Sequence, residues 1–243
     1  MTTWAAGAMA LVLGAAVVSC QDGGPQKAPP APTAAGGSKA TAPAATAPMP
    51  AAAAAMPYGP RFAGLCAACH GANGRMETPL TPVLAGQPSL YVITQLFLFR
   101  EGRRNNAAMT AVAKTLTDDD LRGFSDLIGA LPAVPPPAPA TPPDPIRMAR
   151  GQALAEQHKC VFCHGAGLGG GQQVPRIAGQ HEEYLQTSLR GFHSGSRPGY
   201  TPAMTEAVSQ IPPEDLDTLA YYAARLAGPA GQSQGSNGQA AMR

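Results

Sequence analysis

Cys66-Ala-Ala-Cys69-His70 and Cys160-Val-Phe-Cys163-His164 are two copies of one pentapeptide, and their reading decides the fold. Residues three apart lie on one side of a helical turn, so both thiols of each copy reach in one direction with an imidazole beside them. Covalent attachment of a c-type haem needs that set: two sulfurs for the vinyl groups on one porphyrin edge, and a histidine under the iron. A single copy can also arise by chance or belong to a thiol redox pair or a zinc site. Two copies in one longer repeat point to two haems.

The repeat extends well beyond the pentapeptides. Pro82-Val-Leu-Ala-Gly-Gln87 answers Pro175-Arg-Ile-Ala-Gly-Gln180, Tyr91 answers Tyr184, Phe99 answers Phe192, Gly102 answers Gly195 and Arg104 answers Arg197. Ala108-Met109-Thr110 then answers Ala203-Met204-Thr205. The order never changes, so the chain is a tandem duplication with small insertions.

A haem iron takes a sixth ligand or keeps an open face. Met109 and Met204 occupy matching places, each about forty residues past its histidine, where a thioether would close the far side of the iron and raise its potential. Both are expected in Pro/Gly/Asn-rich loops, which sets them apart from gap-filling core methionines. Met76 has no methionine counterpart in the second half. His193 aligns with Arg100, and His158 and His181 also lack histidine partners, so all three read as non-ligands, the last two facing solvent. A metal-bound imidazole donates its other N–H to a fixed acceptor. Pro82 and Pro175, whose carbonyls are easily left free, are the candidates. The small residues of each Ala-Gly-Gln are expected to let backbone press on a porphyrin face.

The ordered set of C-x-x-C-H, P-x-x-A-G-Q, Tyr, Phe, Gly-x-Arg and a methionine, given twice over residues 58 to 228, resembles the di-haem class I cytochromes c of the cytochrome c4 type. The resemblance implies an all-α fold of two tandem domains, each wrapped around one covalently bound haem c. It implies Cys66, Cys69, Cys160 and Cys163 as thioether attachments. His70 and His164 would be the proximal ligands, Met109 and Met204 the distal ligands, and the Pro82 and Pro175 carbonyls the histidine acceptors. It further implies haem attachment outside the cytoplasm, with a cytochrome c reductase complex as donor and a terminal oxidase or another reductase as acceptor.

Composition agrees. The 243 residues include 26 prolines and 28 glycines, and aromatic residues make up only 5%. Two packable segments of about 75 to 85 residues are marginal alone. A buried porphyrin adds apolar contact on the order of several kcal/mol, so the core is expected to form around the cofactor. Periodicity and start signals predict a short helix into Cys66, then helices over Leu90 to Arg100 and Asp118 to Ala130. In the second half they predict Pro145 to Lys159, Glu182 to Phe192 and Pro213 to Leu226. Leu90, Ile93, Leu96 and Phe97 are expected on one apolar face. Thr117 before Asp118-Asp119-Asp120 reads as an N-cap with acid in the first turn.

Met9 to Ser19 is apolar and short for a membrane span, which suits a signal peptide over residues 1 to 20. It ends in Val17-Val18-Ser19-Cys20, which resembles a bacterial lipobox, so Cys20 is the candidate for lipidation. Stable anchoring needs two acyl chains, and a lipobox cysteine carries more than one. Residues 21 to 57, rich in Ala and Pro, read as a tether reaching up to ~100 Å if extended. Cytochrome c domains then span 58–132 and 144–228, joined by a Pro-rich linker at 133–143 and followed by a disordered tail at 229–243. With Cys20 and two haem pairs, all five cysteines are placed.

The first domain carries seven basic and six acidic side chains, the second seven and eight, so neither shows a nucleic-acid footprint. Arg103, Arg104 and Arg197 read as solvated surface arginines rather than propionate partners. An iron held by histidine and methionine has no position for a substrate, which predicts an electron carrier and no small-molecule substrate. The expected place is the periplasm, with redox proteins as partners. A cytochrome subunit of a periplasmic dehydrogenase would use the same chemistry. A haem peroxidase or sensor would follow if one methionine did not bind.

Overall fold

In each half a helix leads into the pentapeptide, and in the second half the last helix packs back on it. The computed structural model describes residues 47–227. In the first half, α1 (Ala51–Ala54), α2 (Gly59–Leu65), α3 (Ala67–His70), α4 (Ser89–Arg100), α5 (Ala107–Ala113) and α6 (Asp118–Ala130) follow in order. The second half has α7 (Pro145–Gln157), α8 (Cys160–His164), α9 (Glu182–Ser194), α10 (Ala203–Val208) and α11 (Pro213–Arg225). Among the described residues the only bridge outside helices joins Gly171 and Val174. The fold is all-α.

Local chemistry explains the boundaries. Thr117 accepts from the Asp120 N–H while the Asp120 carboxylate accepts from the Thr117 N–H, a capping box that starts α6 where the acid run begins. Asp144 accepts from the Ile146 and Arg147 amides to start α7, and Pro145 sits at its first position. Helix α7 stops short of Lys159 because that residue is left-handed, at φ 56°, and turns the chain into α8.

The expected face of α4 is only partly correct. Ile93, Leu96 and Phe97 border the first-half core with Val92, but Leu90 is exposed. The helix is apolar on all sides, because its other face is also covered: Phe99 is buried under the Arg104 guanidinium, 4.4 Å from the ring centroid.

The first-half core joins Phe62, Val92, Leu116, Leu121, Phe124, Leu127, Ile128 and Leu131. Ala53 belongs to it too, so the tether read over residues 21–57 is too long at its C-terminal end: α1 packs on this core. Alanine is the best helix former, and a short Ala run beside apolar surface folds onto it. The signal peptide, Cys20, the rest of the tether and the tail lie outside the described residues. Among the described residues no helix is long and apolar enough to cross a membrane.

In each half the last helix meets the opening segment through a glycine that faces a tyrosine, with the partners exchanged. In the first half Tyr58 lies over Gly123 of α6; a Cβ there would come within 2.0 Å of its ring. In the second half Gly151 of α7 lies under Tyr222 of α11, where a Cβ would meet the Tyr222 Cβ at 2.4 Å and the Thr218 carbonyl oxygen at 3.1 Å. Tyr58 is held in place: its hydroxyl donates to Asp120 at 3.2 Å, and its ring meets Phe124 edge-on at 5.0 Å.

The Pro-rich linker is seated on both halves. Ala133 lies where a Cβ on Gly86 would be, 2.7 Å away, and Pro136 Cδ lies 3.0 Å from the corresponding point on Gly179. Both glycines have positive φ, 75° and 69°. The two Ala-Gly-Gln glycines therefore face the chain's own linker.

Two predictions follow from these contacts. Gly151→Ala should lower stability by about 1–3 kcal/mol through overpacking, read as a fall in thermal midpoint. Gly123→Ala should cost less, because a tyrosine ring moves more easily than a helix backbone. Asp120 sits well below the usual carboxylate range, first through its hydrogen bond and ion pair with Arg61 and then through Thr117. A depressed carboxylate adds stability above its unfolded value, near pH ~4, and loses it as pH falls further. Thermal unfolding of Asp120→Ala should therefore show a flatter acid limb than the unaltered protein.

Candidate haem sites

The pentapeptides form single helical turns, α3 and α8, each left through a glycine with φ 78°, Gly71 and Gly165. A left-handed residue at that point costs a glycine little and sends the chain back beneath the histidine. In the first half the Gly74 carbonyl, on a residue at φ 81°, accepts from the Leu84 and Ala85 amides at 2.7 and 3.1 Å. In the second half the Leu168 carbonyl, at φ 52°, accepts from Ile177 and Ala178, both at 3.0 Å. These bonds fasten each P-x-x-A-G-Q segment to the loop after its pentapeptide. Gly170 tightens the second loop further: a Cβ there would fall 2.5 Å from the Arg176 nitrogen.

That fastening sets the histidines. His70 and His164 are buried, and each Nδ1 lies 2.9 Å from a proline carbonyl, Pro82 for His70 and Pro175 for His164. A carbonyl can only accept, so Nδ1 carries the proton and Nε2 presents its lone pair. Burial lowers both imidazole pKa values, with the carbonyl bond acting the other way, so both rings are neutral at pH 7. Among the described residues nothing hydrogen-bonds to either Nε2.

All four pentapeptide cysteines are free, Cys66 and Cys160 half-buried, Cys69 and Cys163 exposed. Burial pushes the Cys66 thiol up to about 11 and raises Cys160 as well. Redox-active pairs depend on a lowered thiol pKa, so these turns do not have the character of a thiol-exchange site. Among the described residues, no three His, Cys, Asp or Glu side chains converge as a closed metal site needs.

Met109 and Met204 are both half-buried, and the expected loop setting is wrong for both. Met109 sits near the start of α5, where the Asn106 side chain accepts its N–H at 2.9 Å, and Met204 near the start of α10. Short helices escape periodicity because six or seven residues hold too few turns to show a face. The cap Asn106 was the available signal. Met204 and Cys160 border the same apolar cluster, built on Leu154, Ile211 and Leu216. Cys66 borders the corresponding first-half cluster.

His158 and His181 do not face solvent. The His181 ring is nearly buried, with Nε2 2.8 Å from the Met76 carbonyl oxygen. His158 closes α7, and its Nε2 is buried without a partner. Their lack of counterparts in the other half carried no information on burial.

Arg104 and Arg197 overturn a second expectation. Arg104 is buried, and one arm donates to Gln95 at 2.7 Å while the other donates to the Tyr184 hydroxyl at 2.8 Å. Arg197 donates to Ser188 and, at 3.4 Å, to the same hydroxyl. It also hydrogen-bonds Tyr91. The repeat-matched pairs Tyr91/Tyr184 and Arg104/Arg197 thus meet between the halves. Burial alone would raise the Tyr184 hydroxyl, but Arg197 and Arg104 hold it down to about 7. Among the described residues neither arginine has a carboxylate partner, and Arg197 Nε is buried without an acceptor. Arg104 is buried and Arg197 half-buried, and cations drawn out of water without anions are expensive. The cluster is built to receive negative charge.

The residues therefore fit haem c on three counts: free thiols at the attachment spacing, a neutral buried imidazole with an unclaimed Nε2, and an anion-seeking cluster for propionates. The comparisons with known proteins agree. The sequence model of the cytochrome c family matches residues 148–226. A thiosulfate dehydrogenase electron acceptor from Thiomonas intermedia is 34% identical over 173 residues, covering 62% of this chain and 78% of that protein. Cytochrome c4 from Thiocapsa roseopersicina is 30% identical over 170 residues, covering 65% of this chain and 85% of that protein. The structure of reduced cytochrome c4 from Pseudomonas stutzeri superposes with a TM-score of 0.60 at 26% identity, covering 69% of this chain and 96% of that one. Sequence, duplicated architecture and site chemistry thus converge, and the chain belongs to the cytochrome c family as a di-haem protein of the cytochrome c4 type.

Proposed function

We propose that the protein is a periplasmic carrier of single electrons between a respiratory donor and a terminal oxidase or reductase. Cys66, Cys69, Cys160 and Cys163 would hold the two haems, and His70, His164, Met109 and Met204 would supply the iron ligands. Haem c bound at each site supplies a one-electron change at iron. The chain's own residues do the rest. Each histidine is held in one orientation and one tautomer by its proline carbonyl, so little reorganisation accompanies the change of charge. Arg104, buried, and Arg197, half-buried with an unpartnered Nε, place positive charge between the halves, which would favour the reduced state and suit haem propionates. Apolar cores border Cys66 and Cys160, the more covered cysteine of each pair. The carrying observation is the pair of 2.9 Å histidine-to-proline bonds, one in each half, which leave both Nε2 atoms for a metal.

A second reading has a specific basis: the similarity to a protein named for accepting electrons from thiosulfate dehydrogenase. A cytochrome taking electrons from a periplasmic dehydrogenase would use the same two centres. Stopped-flow reduction separates the two. Faster reduction by thiosulfate dehydrogenase with thiosulfate than by a quinol–cytochrome c reductase selects the dehydrogenase partner, and the reverse order selects the respiratory one. Membrane attachment through lipidated Cys20 belongs to the same proposal; Cys20→Ser should release the protein from the membrane fraction.

The ligand assignment predicts that Met109→Ala and Met204→Ala each remove half of the ferric iron–thioether charge-transfer band, and that each lowers one midpoint, because thioether ligation raises it. A band unchanged by either substitution removes that methionine from the iron. An unaltered protein with a high-spin ferric centre that reacts with peroxide would instead be a peroxidase or sensor. Arg197→Gln should lower the midpoints as well, since removing a positive charge favours ferric iron; redox titration reads the shift.

A further inference from the structure

We propose that Gln87 and Gln180 are positioning residues that link the axial histidine of each half to the opposite half, through one shared peptide group on each side. The inference rests on the histidine ligation proposed above. Gln180 Oε1 accepts from the Val83 N–H at 2.8 Å, and its Nε2 donates to the Val83 carbonyl at 3.0 Å. Gln87 does the same in reverse: Oε1 accepts from the Arg176 N–H at 3.2 Å, and Nε2 donates to the Arg176 carbonyl at 2.8 Å. Each amide bonds both the N–H and the C=O of a single residue across the junction, which fixes which end is oxygen; Gln180 Oε1 also accepts from the His181 N–H at 3.1 Å, and Gln87 Nε2 also reaches the Val83 carbonyl at 3.5 Å. Both glutamines are buried, 6% and 5% exposed.

Val83 and Arg176 are the residues that follow the histidine-binding prolines. The Pro82 carbonyl and the Val83 N–H belong to one planar peptide, as do the Pro175 carbonyl and the Arg176 N–H. An acceptor on the N–H draws electron density toward the carbonyl oxygen, which then becomes the stronger acceptor. The Pro82 carbonyl accepts from His70 and the Pro175 carbonyl from His164. Gln180, in the second half, thus strengthens the His70 bond in the first, and Gln87 strengthens the His164 bond in the second. A stronger bond at Nδ1 makes the imidazole a better donor to iron and favours the ferric state.

The connection is crossed, and that distinguishes it from a merely structural contact. Its two arms are also unequal. The Gln180 oxygen lies 2.8 Å from the Val83 nitrogen, while the Gln87 oxygen lies 3.2 Å from the Arg176 nitrogen. The first-half centre should feel its glutamine more.

The test is redox titration of the full holoprotein carrying Gln180→Met or Gln87→Met, each near the glutamine in size and without an acceptor. The methionine-ligand variants assign each midpoint to its half. Gln180→Met should raise the first-half midpoint by an equilibrium change of about three-fold, ~28 mV for a one-electron couple at 59 mV per tenfold. The second-half midpoint should change less. Gln87→Met should raise the second-half midpoint, by a smaller amount. A shift confined to the glutamine's own half, an equal shift of both centres, or no shift overturns the proposal. Should either variant fail to fold, hydrogen exchange in the unaltered protein decides: the Val83 and Arg176 amides must exchange far more slowly than neighbouring loop amides, Val83 the slower of the two, and loop-like exchange at both overturns it. Failure of the ligation itself is seen separately, as high-spin iron in the unaltered protein before any glutamine is changed.

Discussion

A buried imidazole fixed to a proline carbonyl is the constraint on which each half depends. An uncharged ring with Nδ1 committed and Nε2 free is what an iron ligand must be, and it exists only if a carbonyl stands at hydrogen-bond distance beneath it. The chain achieves this by fastening a distant segment, P-x-x-A-G-Q, to the loop that leaves the pentapeptide, through two amides on one carbonyl. The left-handed residues at Gly71, Gly74, Gly165 and Leu168 make that approach possible. Leu168 shows how firmly the loop is held. A leucine in this conformation is strained by about 1 kcal/mol or more, and here it is fully buried against Ala178 and Leu185.

Duplication turned this arrangement into a device with two ends. Because both halves carry the same segments, residues that meet across the junction come in matched sets: Gln87 on the Arg176 backbone and Gln180 on the Val83 backbone, Tyr91 beside Tyr184, and Arg104 with Arg197 on the Tyr184 hydroxyl. The polar groups gathered there are not free to be lost, since each buried donor is answered by an acceptor from the other half. The arginines are the exception, charged and without a carboxylate, and their surplus positive charge suits the acidic edge of a haem.

Departures from symmetry are equally informative. His181 and Met76 meet across the junction although neither has a like residue in the other half, and Arg75 reaches the Gly179 carbonyl at 2.8 Å. The meeting of each half's opening segment with its last helix keeps a glycine–tyrosine contact, while the glycine moves from the last helix, Gly123, to the opening one, Gly151. Packing restrains the contact, not the residue that supplies each side of it. The two centres therefore sit in related but unequal surroundings.

The pentapeptides, the order of the repeat and the capped helix starts were legible because each acts over a few residues: a thiol pair on one turn, a threonine three residues before an aspartate, a proline at the first turn. Helix α6 was read to the residue for that reason. The short helices under Met109 and Met204 were not, since a turn or two leaves no periodic trace, and the α1 alanines resembled a tether until apolar surface was placed beside them. Burial of Arg104, Arg197, His158 and His181 could not be read at all. A charged side chain looks the same in a sequence whether water or another domain covers it. What the sequence determined by itself was the chemistry of each centre, carried by local spacing. Which atoms of one half touch the other, and hence how one centre feels its neighbour, was decided only when long-range packing brought residues some ninety positions apart within a hydrogen bond.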